Sequence, residues 1–137
     1  MYVVNRTRAT FLGVDVKRAD AFGTRLLGLY RHRNLSLGDG VWLVPCKGVQ
    51  TIGMRAPIDV VFLDRKQRVV RIYNHVRPGR IIWWVPRAHS ALEVPAGAVG
   101  SSETRPGDVV EFASELPEGL PGSGLRREGA VLTPTPS

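Results

Sequence analysis

The stretch "QTIGMRAPIDVVFLDRKQRVV", Gln50 to Val70, decides the reading of this chain. Its middle, "IDVVFLD", is apolar at both parities: Ile58, Val60 and Phe62 share one face of an extended strand, Val61 and Leu63 the other. Side chains alternate across a strand, so such a run must be covered on both sides. The pattern predicts a buried central strand. "DRKQ" after it is a polar hairpin turn, and "RVVRIY" is the returning strand. Pro57 stands at the strand's start, where it need not supply a ladder donor.

Working outward, "MYVV" and "RATFLGVDV" predict an opening hairpin. Asp20 is placed to N-cap a helix through about Leu29, with Phe22, Leu26, Leu29 and Tyr30 at helical spacing. Gly23 and Gly28 weaken that helix, and Gly28 suits close packing or a helix end. "NLSLGDG" is a turn, "VWLVP" a strand stopped by its proline, and Val49 to Ile52 a short strand. "SALEV" and "GDVVEFA" are further strands, with a turn of weak helix in "PAGAVGSSET" between them. Many short strands with one helix predict a mainly β fold: a compact antiparallel β-sandwich or distorted barrel with a short helix near the N-terminus. Residues 1–115 make one β-rich domain, and the Pro/Gly-rich 116–137 reads as a flexible tail.

Composition limits the function classes. The 137 residues suffice for one core. Cys46 is the single cysteine and cannot form an intramolecular disulfide. The N-terminal residues lack a signal-peptide pattern and the longest apolar runs are strand-sized, so a soluble cytoplasmic protein without a membrane span is expected. The net charge is +7, concentrated in the middle. Between Arg65 and Arg87 every charged residue is basic: Arg65, Lys66, Arg68, Arg71, Arg77, Arg80 and Arg87. Such a run suits an anionic partner, and it equally suits a surface solvated by arginine.

Three motifs together resemble those of the domain of unknown function 192 family of bacteria and archaea. "RLLGLYRHR" matches at Arg25, Gly28, Leu29 and Arg31; "TIGMRAPIDVVFLD" matches at Thr51, Met54, Pro57, Ile58, Asp59, Phe62 and Asp64; "ALEVPAG" followed by "RPGDVVEF" supplies the third. The resemblance spans about Tyr2 to Phe112 and implies a compact β-rich domain with a short helix. It implies no general activity. Where the nearest branch of that family has Cys-x-x-Val/Ile-His-Thr, this chain has Gln50 in place of the histidine. A Cys/His pair is therefore not available here.

Asp59 is the most informative residue. A lone carboxylate starting a buried strand is expensive unless it is hydrogen-bonded. Arg55, Thr51 and nearby backbone N–H groups are candidate partners. Asp59 would either act as a general acid or base, anchor a polar ligand with Arg55, or fix the turn through Pro57. Cys46 has only Lys47 to activate it, since Gln50 cannot serve as a base, so a small partly buried residue is expected. His32, His75 and His89 lack zinc-ligand spacing, and there is no phosphate-binding glycine loop or nucleophile elbow. No cofactor or metal is expected. In "RPGRIIWWVPRAH", adjacent Trp83 and Trp84 should point to opposite sides, the outward one forming a platform beside Arg77, Arg80 and Arg87.

These readings converge on a small non-catalytic binding or accessory domain. Its small polar or anionic ligand, or protein partner, would sit at the Thr51–Asp59 turn. The candidate site residues are Thr51, Met54, Arg55, Asp59, Trp83, Trp84 and Arg87. Binding of nucleic acid or another polyanion through Arg65–Arg87 is the alternative, and a small hydrolase using Asp59 is the third reading.

Overall fold

The computed structural model describes residues 1–19 and 35–118, together with the backbone of 125–128 and 131–134. The chain is mainly β, built of several sheets with no closed barrel among the described residues. Strands β1 (Tyr2–Asn5), β2 (Thr10–Gly13), β3 (Asp15–Ala19) and β4 (Asp39–Leu43) come first. They are followed by β5 (Val49–Gln50), β6 (Ile58–Leu63), β7 (Val69–Val76), β8 (Ile81–Ile82) and β9 (Ser90–Pro95). A short helix α1 (Ala98–Ser101) and β10 (Val110–Ala113) come next. The N-terminal helix expected over Asp20–Leu29 lies outside the described residues; the short helix that is described stands mid-chain, within "PAGAVGSSET".

A five-stranded sheet in the order β3-β4-β9-β6-β7 forms the centre. Every residue of β6 is buried, as its two-faced apolar pattern requires. Val61 and Leu63 join Leu92, Val94 and Trp42 in one core cluster, which Val3, Leu12 and Val110 of the three-stranded sheet β10-β1-β2 complete. Ile58, Val60 and Phe62 face the opposite way and pack with Val41, Leu43, Val49 and Val85. The two-stranded ribbon of β5 and β8 lies on that second side.

The hairpin at "DRKQ" closes as a turn because Asp64 Oδ1 accepts the Lys66 and Arg68 N–H groups at 2.8 and 3.0 Å. Such Asx-type bonds satisfy donors the ladder leaves open. Two pairings are less local. β3 and β4 run parallel, Asp15 opposite Asp39 through Ala19 opposite Leu43. In the C-terminal segment, β11 (Leu125–Glu128) and β12 (Val131–Pro134) pair as an antiparallel ribbon, an element absent from the sequence reading.

Candidate functional site

Asp59, the second residue of β6, points to the same side as Val61 and is 2 % exposed. Opposite it the ladder slips: Ile58 pairs with Val76 and Val60 with Tyr73, so β7 carries an extra residue. His75 sits in this bulge at φ 51°, in the left-handed region, and its N–H is turned out of the ladder. Asp59 Oδ1 accepts that N–H at 2.8 Å. Oδ2 accepts the N–H groups of Gly97 and Val99, at the start of α1, at 3.0 and 3.1 Å. The carboxylate is capped by three backbone donors, of which that of Val99 is buried and would otherwise lack a partner. Arg55 is not among its partners: it is exposed and makes no ion pair among the described residues. The general acid/base role is accordingly set aside.

Thr51 is likewise structural. Its hydroxyl donates to the Arg77 carbonyl at 2.7 Å and accepts the Arg80 N–H at 2.8 Å. Its own N–H bonds the Arg80 carbonyl, and its carbonyl receives Gly79 and Met54. Thr51 thereby clasps the 77–80 turn at one end of the β5–β8 ribbon. Met54 is half-buried against the second core cluster. Gln50 uses Oε1 to accept the Ile52 N–H at 2.8 Å.

The expectation that one tryptophan points inward fails. Trp83 is 83 % exposed and Trp84 63 %. Alternation applies only along a strand, and β8 ends at Ile82. The inward residue is Val85, buried in the second cluster, its N–H bound to the Lys47 carbonyl at 2.8 Å. Gly48 makes this close approach possible: a Cβ there would stand 2.4 Å from the Trp83 carbonyl oxygen and 2.6 Å from that of Ile82. Both indoles are thus displayed on backbone tied to the core. Lys47 Nζ lies 5.7 Å from the Trp84 ring centre, in cation–π range.

Beside this segment is a groove of about 560 Å³ built by three stretches of chain. The hairpin turn contributes Asp64–Lys66 and Arg68, the loop after β4 contributes Lys47, and the loop before β9 contributes Arg87–His89. Backbone bonds lock the three together: His89 N–H to Leu63 carbonyl at 2.7 Å, Cys46 N–H to His89 carbonyl at 2.8 Å, and the Val85–Lys47 bond. Lys47, Arg65, Lys66, Arg68 and Arg87 are exposed, and none forms an ion pair among the described residues. Asp64 is the one carboxylate lining the groove, and its Oδ1 is engaged by the turn.

The structure therefore divides the sequence candidates. Thr51 and Asp59 hold backbone at one end of β6; Trp83, Trp84 and Arg87 gather with the basic groove toward the other. Lys47 and His89 are groove residues outside the sequence candidates, and Arg65, Lys66 and Arg68 entered only through the basic run.

Cys46 is buried, and its thiol donates to the Gly48 carbonyl at 2.9 Å. Burial pushes the thiol's pKa up, and nearby Glu93 adds to the rise. It is suited to packing, not attack. Among the described residues no three potential metal ligands converge. No helix among them is long and apolar enough to cross a membrane.

Two solved structures share the fold. A protein of unknown function from Novosphingobium aromaticivorans DSM 12444 is similar over 81 % of this chain and 82 % of its own, with 19 % identity and a TM-score of 0.66. A Sinorhizobium meliloti 1021 protein, provisionally described as a transcription regulator, is similar over 80 % and 89 %, with 20 % identity and a TM-score of 0.62. At these identities the likeness is one of fold alone. None of the curated proteins matches the chain. The family model for DUF192, described as uncharacterized ACR, matches residues 3–112, and the chain belongs to this family.

Proposed function

We propose that the protein is a binding domain without catalysis of its own, and that it takes an anionic partner on the face made by Trp83, Trp84 and the adjoining basic groove. The observation that carries this reading is the pairing of two solvent-facing indoles with cations that have no carboxylate partner among the described residues. Indoles left in water on an anchored loop are not accounted for by core packing, and exposed aromatics beside arginines recur at interaction surfaces. Unpaired cations lining a concave surface raise the local concentration of anions. Thr51 fixes the ribbon that leads into Trp83, while Asp59 fixes the bulge and helix at the other end of β6. The description carried by the Sinorhizobium protein belongs to that protein, and it sits easily beside an anionic partner here.

Retention on immobilised heparin tests the reading. The chain should be held at low salt and released steeply as salt rises. A Lys47→Gln/Arg68→Gln/Arg87→Gln variant should elute at distinctly lower salt. If wild type passes through at low salt, the proposal falls.

A further inference from the structure

Arg87 occupies a position that ordinarily belongs to glycine. The segment Val85-Pro86-Arg87-Ala88 is a tight turn closed by the Ala88 N–H on the Val85 carbonyl at 3.2 Å. Proline stands at its second position and Arg87, at φ 67°, at its third. A turn with proline second and a positive φ third favours glycine at that third place, because a Cβ is strained there. An arginine kept in this conformation is not explained by the turn. Its guanidinium-bearing side chain lines the basic groove, together with Lys47, Lys66, Arg68 and His89. Backbone strain beside a concave charged surface points to the side chain's chemistry.

Lys47 connects this groove to the aromatic surface. It lines the groove and also lies over the Trp84 ring, so a negative group held by the groove cations is next to an indole open to solvent. Trp83 adds a second exposed ring one residue away, and Arg80 and Arg77 follow at the far end of the β8 ribbon. Two flat rings flanked by cations on one anchored segment match a polymer that carries both charge and planar groups. Bases paired within a duplex cannot offer their faces to a side chain, whereas those of a single strand can.

We infer that this face is a single-stranded nucleic-acid site, in which the Lys47/Arg68/Arg87 groove takes a backbone phosphate and Trp84 stacks on the neighbouring base. This rests on the anion-binding reading above and specifies its ligand. The phosphate's negative oxygens meet arginine forks and a lysine ammonium, which suit it in number and charge. Base stacking adds contacts that a purely charged polymer such as heparin cannot make.

The test uses the 137-residue chain, a twelve-nucleotide oligothymidylate, the matching duplex and heparin, at low salt and with tryptophan fluorescence as readout. Oligothymidylate should quench the emission, and Trp84→Ala should remove most of that quenching and weaken binding about tenfold. Arg87→Gly should weaken oligonucleotide binding several-fold while the melting temperature stays level or rises, because the strained turn is relieved. If heparin binds but oligothymidylate binds without quenching, or binds Trp84→Ala as tightly as wild type, the nucleic-acid assignment is overturned and the anion-binding reading survives. Equal affinity for duplex and single strand overturns the stacking. If neither heparin nor oligonucleotide binds, both readings fall together.

Discussion

The carboxylate of Asp59 holds the backbone N–H of His75 at 2.8 Å, across the point where β7 carries one residue more than β6 opposes. The same side chain reaches Gly97 and Val99 with its other oxygen. One buried charge therefore ties a bulge, the central strand and the start of α1. Asp59→Ala would leave three N–H groups without this acceptor; those of the exposed His75 and Gly97 can turn to water, whereas the buried Val99 donor would stay unsatisfied at about 1–3 kcal/mol. A loss of about 1–3 kcal/mol in urea unfolding is expected. Oligonucleotide affinity per folded molecule should stay at the wild-type level, because Asp59 is remote from the basic groove in the arrangement of elements. A stable Asp59→Ala protein with lost binding would reverse that assignment.

Thr51 makes a narrower prediction. Thr51→Val preserves shape and removes the hydroxyl that bonds Arg77 and Arg80. The variant should lose about 1–3 kcal/mol of stability, and Thr51→Ser should recover much of it. Because the clasp orders the turn at one end of the ribbon, amide exchange at Gly79 and Arg80 should accelerate in the valine variant. Unchanged exchange there would show that the β5–β8 pairing alone holds the turn.

Much of the frame is legible in the sequence because it depends on local pattern. Ile58, Val60 and Phe62 face one core cluster and Val61 and Leu63 the other, as strict alternation requires. The polar turn at Asp64 closes within four residues, so its chemistry is visible locally. Other features are long-range. The partners of Asp59 lie 16, 38 and 40 residues away, and composition carries no trace of them. The parallel pairing of β3 with β4 is a property of topology. The tryptophans depart from alternation for a local reason: β8 stops at Ile82, just before them, and with it the rule that assigns sides. The groove was only half visible, since Lys47 comes from another segment and is brought in by the Val85–Lys47 bond.

That bond depends on Gly48, which yields a third prediction. In Gly48→Ala the new Cβ would meet backbone carbonyl oxygens at 2.4 and 2.6 Å, well inside contact distance, and backbone cannot swing aside as a side-chain tip can. The ribbon must shift away from Lys47. Overpacking of this kind costs about 1–3 kcal/mol. Lys47 should also separate from Trp84, so the variant should lose oligonucleotide binding beyond its loss of stability. Binding retained at the wild-type level would mean that the Lys47–Trp84 proximity is immaterial to the site.

The buried thiol gives a simple chemical check. With the Cys46 pKa raised by burial and the thiol donating to Gly48, little thiolate is present near neutral pH. Alkylation by iodoacetamide in the native state should be far slower than in urea, and Cys46→Ser should leave oligonucleotide binding intact. Rapid native alkylation would show an accessible, activated thiol instead.

Asp108 links the fold to pH through a network that joins the ends of the domain. Its Oδ2 accepts from Asn5 Nδ2 at 2.9 Å, the Arg105 N–H at 3.0 Å and Arg8 Nε at 3.2 Å, and Asn5 also donates to Thr104 at 2.9 Å. Desolvation by itself would raise this carboxyl; the hydrogen bonds from Asn5, Arg105 and Arg8, with Arg8's charge, more than offset it, so its pKa lies below the ordinary value. A carboxyl lower in the folded than in the unfolded state contributes stability above its unfolded pKa, near about 4, and loses that contribution as pH falls through the folded value. Asp108→Asn should therefore be about 1–3 kcal/mol less stable than wild type at pH 7. The gap should narrow as pH drops below about 4, where the wild-type carboxylate is progressively protonated. Urea unfolding of both proteins from neutral to acid pH measures this directly. A gap that stays constant across that range would mean that Asp108 acts through shape alone, without a contribution from its charge.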